Sequence, residues 1–226
     1  MRGRVIAVSG IDTGIGKSVA TGHLAKVFAG SGVRTITQKI AQTGIEGISE
    51  DIVTHREIMG IGLQDVDLDG TTCPYVFRHP ASPHLAAAME GREIDVMTLR
   101  RATFMLQKRY DLVLLEGAGG LLVPLNGGLL FADFLRDACY GVVLVTSPRL
   151  GSINHTLLSL EACKSRGIEV RSVVYNRYGE FDAAIAEDTR EVIERSLSRY
   201  GMSRAPLVDL RADGFDPGAV SALLNI

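Results

Sequence analysis

The chain has 226 residues, 46% hydrophobic and 22% charged, enough for one α/β domain spanning residues 1–226 and too few for two full domains. A formal net charge of −2 gives no general attraction to nucleic acid or to an anionic membrane, so any anion site has to be local. No apolar run approaches the roughly 20 residues that span a bilayer, and Met1-Arg-Gly-Arg carries no export signal. Three scattered cysteines, Cys73, Cys139 and Cys163, fit neither a disulfide framework nor a zinc spacing, which predicts a reducing cytoplasmic setting.

In chain order, Arg4–Ser9 (RVIAVS) reads as a buried strand closed by Gly10. Lys17–Gly30 sets Val19, Ala20, Leu24, Val27 and Phe28 on one helical face, and Gly30 and Gly32 stop it. Val33–Gln38 is a second strand, and Ser49 caps a helix that runs to Met59. Gly60–Pro83 has no clear period beyond a short strand or irregular loop near Cys73–Phe77. Helices are predicted at Pro83–Glu90 and Asp95–Arg109, then a buried strand Asp111–Leu115 that runs into Glu116-Gly-Ala-Gly-Gly. Strand Gly141–Thr146, helix Ser152–Arg166, strand Glu169–Tyr175 and helix Asp182–Tyr200 repeat the alternation. A strand Pro206–Val208 and a helix Gly218–Leu224 close the chain. Alternating strands and helices predict a mostly parallel sheet with helices on both faces and ligands at the carboxyl ends of the strands.

Gly10-Ile-Asp-Thr-Gly-Ile-Gly-Lys-Ser18 joins the first strand to the first helix. Helix-start N–H groups and the helix dipole favour an anion there, and Gly14 and Gly16 let backbone approach phosphate closely. Lys17 can reach the outer phosphates and the Ser18 hydroxyl can ligate Mg²⁺. The spacing is one residue longer than the common phosphate-loop pattern. The class it predicts is a P-loop NTPase-type fold, and a phosphate loop alone does not name a reaction.

The extended loop resembles that of the dethiobiotin synthetases, ATP-dependent cyclo-ligases of biotin synthesis. Three further segments resemble the same family in the same order: Lys39-Ile-Ala-Gln-Thr-Gly44, Glu116-Gly-Ala-Gly-Gly120 and Leu150-Gly-Ser-Ile-Asn-His155. Ser82-Pro-His84 also has a counterpart there. Ile40 stands where the family usually has proline, Ser18 where threonine is commoner, and Arg177 where many relatives have aspartate.

The resemblance implies ATP contacts at Thr13, Gly14, Ile15, Gly16, Lys17, Ser18 and Val19, and at Glu116, Gly117, Ala118 and Gly119. It also implies Mg²⁺ on Ser18, Asp51 and Glu116, and catalysis by Lys39 and Lys17. The implied substrates are 7,8-diaminononanoate, CO₂ or bicarbonate, and ATP. Lys39 would hold the carbamate formed from substrate amine and CO₂, and Thr43 would bond the amine or carbamate. Gly151, Ser152, Ile153 and Asn154 would receive the substrate carboxylate across a homodimer interface. Plainer readings stand beside these. Lys39 alone suits a solvated surface, Glu116 a strand-end cap, and Thr43 a turn. Asp51, next to Glu50, suits simple charge complementarity at a helix start. Gly151–Asn154 suits an ordinary helix cap. Asn176, at a strand end, has the amide to read an adenine edge. His84 and His155 suit dimer contacts, the substrate site or packing.

Two other classes share the phosphate loop. Regulatory ATPases of the partition or septum-positioning type (ParA and MinD) carry an additional early lysine, and residues 10–16 contain none. A cobyrinate-type amide ligase normally adds a glutamine-hydrolysing domain, for which the residues after Asn176 leave no room.

Overall fold

The computed structural model describes residues 2–179 and 181–226. The first half of the chain contains β1 (Arg4–Gly10), α1 (Lys17–Gly30), β2 (Thr35–Lys39), β3 (Gln42–Thr43), α2 (Glu50–Met59), α3 (Asp65–Leu68), β4 (Val76–Phe77), α4 (Pro83–Met89) and α5 (Val96–Arg109). Next come β5 (Leu112–Gly120), β6 (Pro124–Asn126), β7 (Leu129–Leu130), α6 (Phe131–Ala138), β8 (Gly141–Thr146) and α7 (Ser152–Arg166). The last elements are β9 (Val170–Asn176), α8 (Ala183–Arg199), β10 (Leu207–Arg211), β11 (Gly214–Phe215) and α9 (Pro217–Leu223).

The described residues form a seven-stranded sheet in the order β11-β10-β9-β8-β1-β5-β2. All its neighbours pair in parallel except β10 and β11. Side chains alternate between two cores. Ile6 and Val8 of β1 meet Leu24 and Phe28 of α1 and Leu223 of α9, while Ala7 faces Phe131, Phe134 and Leu160 of α6 and α7. Burial on both faces is why the central strands are apolar almost without interruption. The chain leaves β1 toward β2 on one side and later returns as β8 on the other. The carboxyl end of β1 is therefore the switch point where ligands bind in such sheets.

The observed elements depart from the expected ones in instructive places. β5 does not stop at Leu115 but continues to Gly120, because Gly10 still pairs with Gly120 beyond an irregularity. Glu116 therefore lies inside the strand, in register with Val8 on one side and Lys39 on the other. β2 begins two residues late and ends on Lys39 rather than Gln38. The stretch Gly60–Pro83 holds α3, which was not expected, and β4, which falls where a short strand or irregular loop was expected. The β6–β7 hairpin, α6 and β11 have no counterpart in the sequence reading. Among the described residues no helix is long and apolar enough to cross a membrane.

Candidate active site

The phosphate loop is held by its glycines and by one asparagine. Gly16 caps α1 in the left-handed region (φ 90°) with no side-chain cap, so the first-turn N–H groups are left to an incoming anion. A Cβ at this position would lie 2.1 Å from Asn176 Nδ2. That nitrogen donates to the Ile15 carbonyl at 3.0 Å, and Asn176 Oδ1 accepts from the Tyr178 N–H at 3.1 Å. The Ile15 side chain is buried in the core beside α1. Lys17 lies 7% exposed, and its Nζ donates to the Asp12 carbonyl at 2.9 Å. Burial, and then the charge of Lys39, lower its pKa to about 8.

Two carboxylates converge on the loop from different elements. Ser49 caps α2, accepting from Ile52 N–H at 3.3 Å while donating to Gln42 Oε1 at 2.7 Å. Asp51, at the start of that helix, lies toward the loop, while its neighbour Glu50 is exposed. Ser18 Oγ lies 2.6 Å from Asp51 Oδ1 and 2.9 Å from Glu116 Oε1. Lys39 Nζ bridges the same pair, 2.5 Å from Asp51 and 2.8 Å from Glu116, and reaches the Gly117 carbonyl at 3.1 Å. Burial alone would push Lys39 down, yet Glu116 and Asp51 together carry it above the ordinary lysine range. Burial likewise opposes ionisation of Glu116, but Lys39 and a hydrogen bond from His55 hold its carboxyl far below the usual range. Both groups are charged at neutral pH.

Ile40, where the resemblance would put proline, has a consequence for this geometry. Its N–H donates to the Glu116 carbonyl at 2.9 Å, extending the β2–β5 pairing past Lys39. A proline has no N–H to give. The backbone that aims Lys39 is tied by a sheet bond.

A cleft of about 560 Å³ joins Thr13, Gly14, Gly16, Lys17, Ser18 and Val19 to Lys39, Thr43, Asp51, Glu116, Ala118 and Gly119. Gln42 and Thr54 also line it and were not anticipated. Gly151–Asn154 lie elsewhere, at the start of α7, with Gly151 and Asn154 exposed and Ser152 buried. There Gly151 is left-handed (φ 89°) and again no side chain caps the helix. A second cleft of about 360 Å³ runs from Ile11 and Asp12 to His155 and Leu158 of α7. His84 and His155 are exposed. The histidine that does reach the site is His55, wholly buried and 2.8 Å from Glu116 Oε2. Its signal in the sequence is the four-residue step from Asp51, which puts both on one face of α2.

Among the described residues no three His, Cys, Asp or Glu side chains group as a metal centre. The donor set at Ser18, Asp51 and Glu116 nevertheless fits Mg²⁺. It offers hard oxygens, leaves coordination positions for phosphate and water, and already holds the cationic Lys39 ammonium.

The parallel sheet, the extended phosphate loop and the carboxylates opposite it define a P-loop NTPase-type α/β protein. The fold is similar to a ParA family ATPase from Chlorobium tepidum (TM-score 0.54, 18% identity, covering 98% of this chain and 89% of that one). It is also similar to the MinD cell division protein of Aquifex aeolicus (TM-score 0.52, 15% identity, 97% and 86% covered). Residues 4–203 match a family model described as an AAA domain. In sequence the chain is 68% identical to the ATP-dependent dethiobiotin synthetase BioD of Chlorobaculum tepidum, covering 100% of this chain and 95% of that protein. It is 52% identical to the ATP-dependent dethiobiotin synthetase BioD 2 of Haemophilus influenzae, covering 82% and 97%. The chain belongs to the ATP-dependent dethiobiotin synthetase family.

Proposed function

We propose that residues 1–226 act as one ligase unit that forms dethiobiotin from 7,8-diaminononanoate, CO₂ and ATP. The observation that carries the assignment of roles is the Lys39 ammonium between Asp51 and Glu116, beside Ser18 and Lys17. One substrate amine attacks CO₂, loses a proton and becomes a carbamate, whose oxygens pair with the Lys39 ammonium and the Thr43 hydroxyl. A carbamate oxygen attacks the γ-phosphorus of ATP, the bond to the ADP oxygen breaks, and a carbamic–phosphoric mixed anhydride results. The second amine then attacks the carbonyl carbon, expels phosphate and closes the cyclic urea.

The protein's part is positioning and fixed charge. Lys17 and the α1 N–H groups hold the outer phosphates, and residues 116–119 and Val19 wall the nucleotide. Asn176, which braces the loop at Ile15, has a second amide hydrogen for the base edge. Ser18, Asp51 and Glu116 would hold Mg²⁺, which when bound supplies charge neutralisation on the phosphate oxygens. With Asp51 and Glu116 holding the ion, the Lys39 ammonium would be free to pair with the carbamate. Gly151–Asn154 receive the substrate carboxylate from a second copy of the chain. That reading is supported by the uncapped helix start and by the exposed Leu122, Leu150 and Leu158 around it. A reducing cytoplasmic setting suits the free cysteines, two of them buried.

The test is ADP release coupled to dethiobiotin formation from the diamine, bicarbonate and MgATP, repeated with Lys39→Ala. The variant is expected to bind an ATP analogue within about threefold of the parent while ring closure falls by about 10²–10³. Near-parental turnover would remove Lys39 from the mechanism. Folded parent protein that makes no cyclic urea would remove the function itself.

A further inference from the structure

Behind the reading of Glu116 as a metal ligand, on which this inference rests, lies a hydrogen-bond chain that the phosphoryl chemistry does not itself require. Asp67 of α3 is forked by Arg56, Nε to Oδ2 at 2.9 Å and Nη2 to Oδ1 at 2.8 Å. Arg56 Nη1 donates to Thr37 Oγ1 at 2.8 Å, and Thr37 Oγ1 lies 2.9 Å from His55 Nδ1. His55 Nε2 lies 2.8 Å from Glu116 Oε2. Thr37, His55 and Glu116 are each 0% exposed and Arg56 is 2% exposed, so no solvent competes along the chain.

Its direction follows from the chemistry of the groups. A guanidinium can only donate, so Thr37 Oγ1 accepts from Arg56 and has a single hydrogen left to give. The same hydroxyl lies against His55 Nδ1, so the Arg56–Thr37 pair holds that side of the ring in place. The ionised Glu116 carboxylate can only accept, so His55 Nε2 carries a hydrogen and donates it to Oε2. Glu116 Oε2 is thereby spoken for, while Oε1 faces Ser18 and Lys39.

We infer that His55, held on its Nδ1 side by Thr37 and Arg56, is a positioning residue that pins one oxygen of Glu116 and presents the other alone to the metal. Groups standing behind a metal ligand orient it, and losing one typically weakens metal binding by about 10–100-fold.

Two substitutions separate this role from packing. His55→Gln has a side-chain NH₂ near the position of Nε2 and keeps the donor to Glu116. His55→Asn reaches only as far as Nδ1 and keeps the Thr37 partner instead. Mn²⁺ affinity of the protein with a non-hydrolysable ATP analogue, read by electron paramagnetic resonance, is expected to fall about 10–100-fold in His55→Asn and about threefold or less in His55→Gln. Metal-free binding of the analogue should be unchanged in both. Equal losses in the two variants, or no loss in folded His55→Asn, overturn the inference. Should His55→Asn not fold, Thr37→Val carries the test: it removes the hydroxyl that holds the Nδ1 side of the ring, and parental Mn²⁺ affinity there overturns the inference equally. Glu116→Gln is the control for the reading beneath. If Mn²⁺ affinity ignores it, Glu116 is not a ligand and both statements fall; if it responds and His55→Asn does not, only His55 falls.

Discussion

Two helices begin in nearly the same way and end up in different surroundings. α1 follows β1, and α7 follows β8, the parallel neighbour of β1. Each is capped by a left-handed glycine, Gly16 at φ 90° and Gly151 at φ 89°, and neither has a side-chain cap. Both leave first-turn N–H groups for an anion. Around α1 the chain supplies everything else: Lys17 and Lys39 are buried, Asp51 and Glu116 face Ser18, and Asn176 braces the loop. Around α7 it supplies little: Leu150 is 84% exposed, and the ion pair Arg149–Asp12 that reaches the phosphate loop is itself exposed. The backbone device is the same twice. What differs is whether its walls come from this chain, and that asymmetry is what the dimer reading answers.

The largest effect expected breaks the first site. Gly16→Ala combines left-handed strain, about 1–2 kcal/mol for an L-residue, with a Cβ 2.1 Å from Asn176 Nδ2. ATP affinity by calorimetry should fall at least about a hundredfold, the strain alone accounting for roughly 5–30-fold. Unchanged affinity would mean that the loop moves aside freely and that Asn176 braces nothing. The next effect tests whether α7 serves a neighbouring copy. Lys39→Ala and Gly151→Asp should each be inactive alone. In a one-to-one mixture half the dimers are mixed, each with one intact site, so activity should return to about a quarter of the parent. No recovery on mixing would put both elements in the same subunit's site. A smaller loss is expected of Gly151→Ala, because nothing but His155 Cε1, at 4.0 Å, stands near the new Cβ and only the backbone strain remains. KM for the diamine should rise on the order of tenfold, with ATP affinity unaffected.

Much of the α1 site was legible in the sequence, because local rules built it. The strand-loop-helix order, the glycines and the Lys-Ser pair are contiguous, and the Ser49 cap forms as its residue type predicts. The extent of β5 was not legible. Glycine-rich sequence reads as loop, and only the pairing of Gly10 with Gly120 keeps it in the sheet. α6 escaped because it is a short helix after Gly127-Gly128 that is held by packing of Phe131, Phe134 and Leu135 rather than by a cap. His55 escaped for a different reason. Its partners Thr37 and Glu116 lie 18 and 61 residues away, so its role exists only once β2, β5 and α2 have met.

The smallest expected effect uses a charge that α1 buries. Lys17 titrates near 8 because burial and the neighbouring Lys39 disfavour its ammonium form. Triphosphate favours that form, so above pH 8 binding has to be accompanied by proton uptake. Affinity for an ATP analogue should be flat below pH 7.5 and fall roughly five- to tenfold by pH 9. Lys17→Arg should flatten that step, since guanidinium stays charged throughout. Stability moves the other way. Between about 8 and the ordinary value of 10.5 the unfolded chain holds the Lys17 proton more tightly than the folded one. The Lys17 contribution to unfolding free energy therefore rises with pH across that window while nucleotide affinity declines. Chemical denaturation at pH 8 and 10, with Lys17→Met as reference, checks the sign: a contribution that falls over this range would mean that the lysine is not desolvated in the folded protein. The α7 start buries no lysine, so a pH step of this origin belongs to the nucleotide side alone.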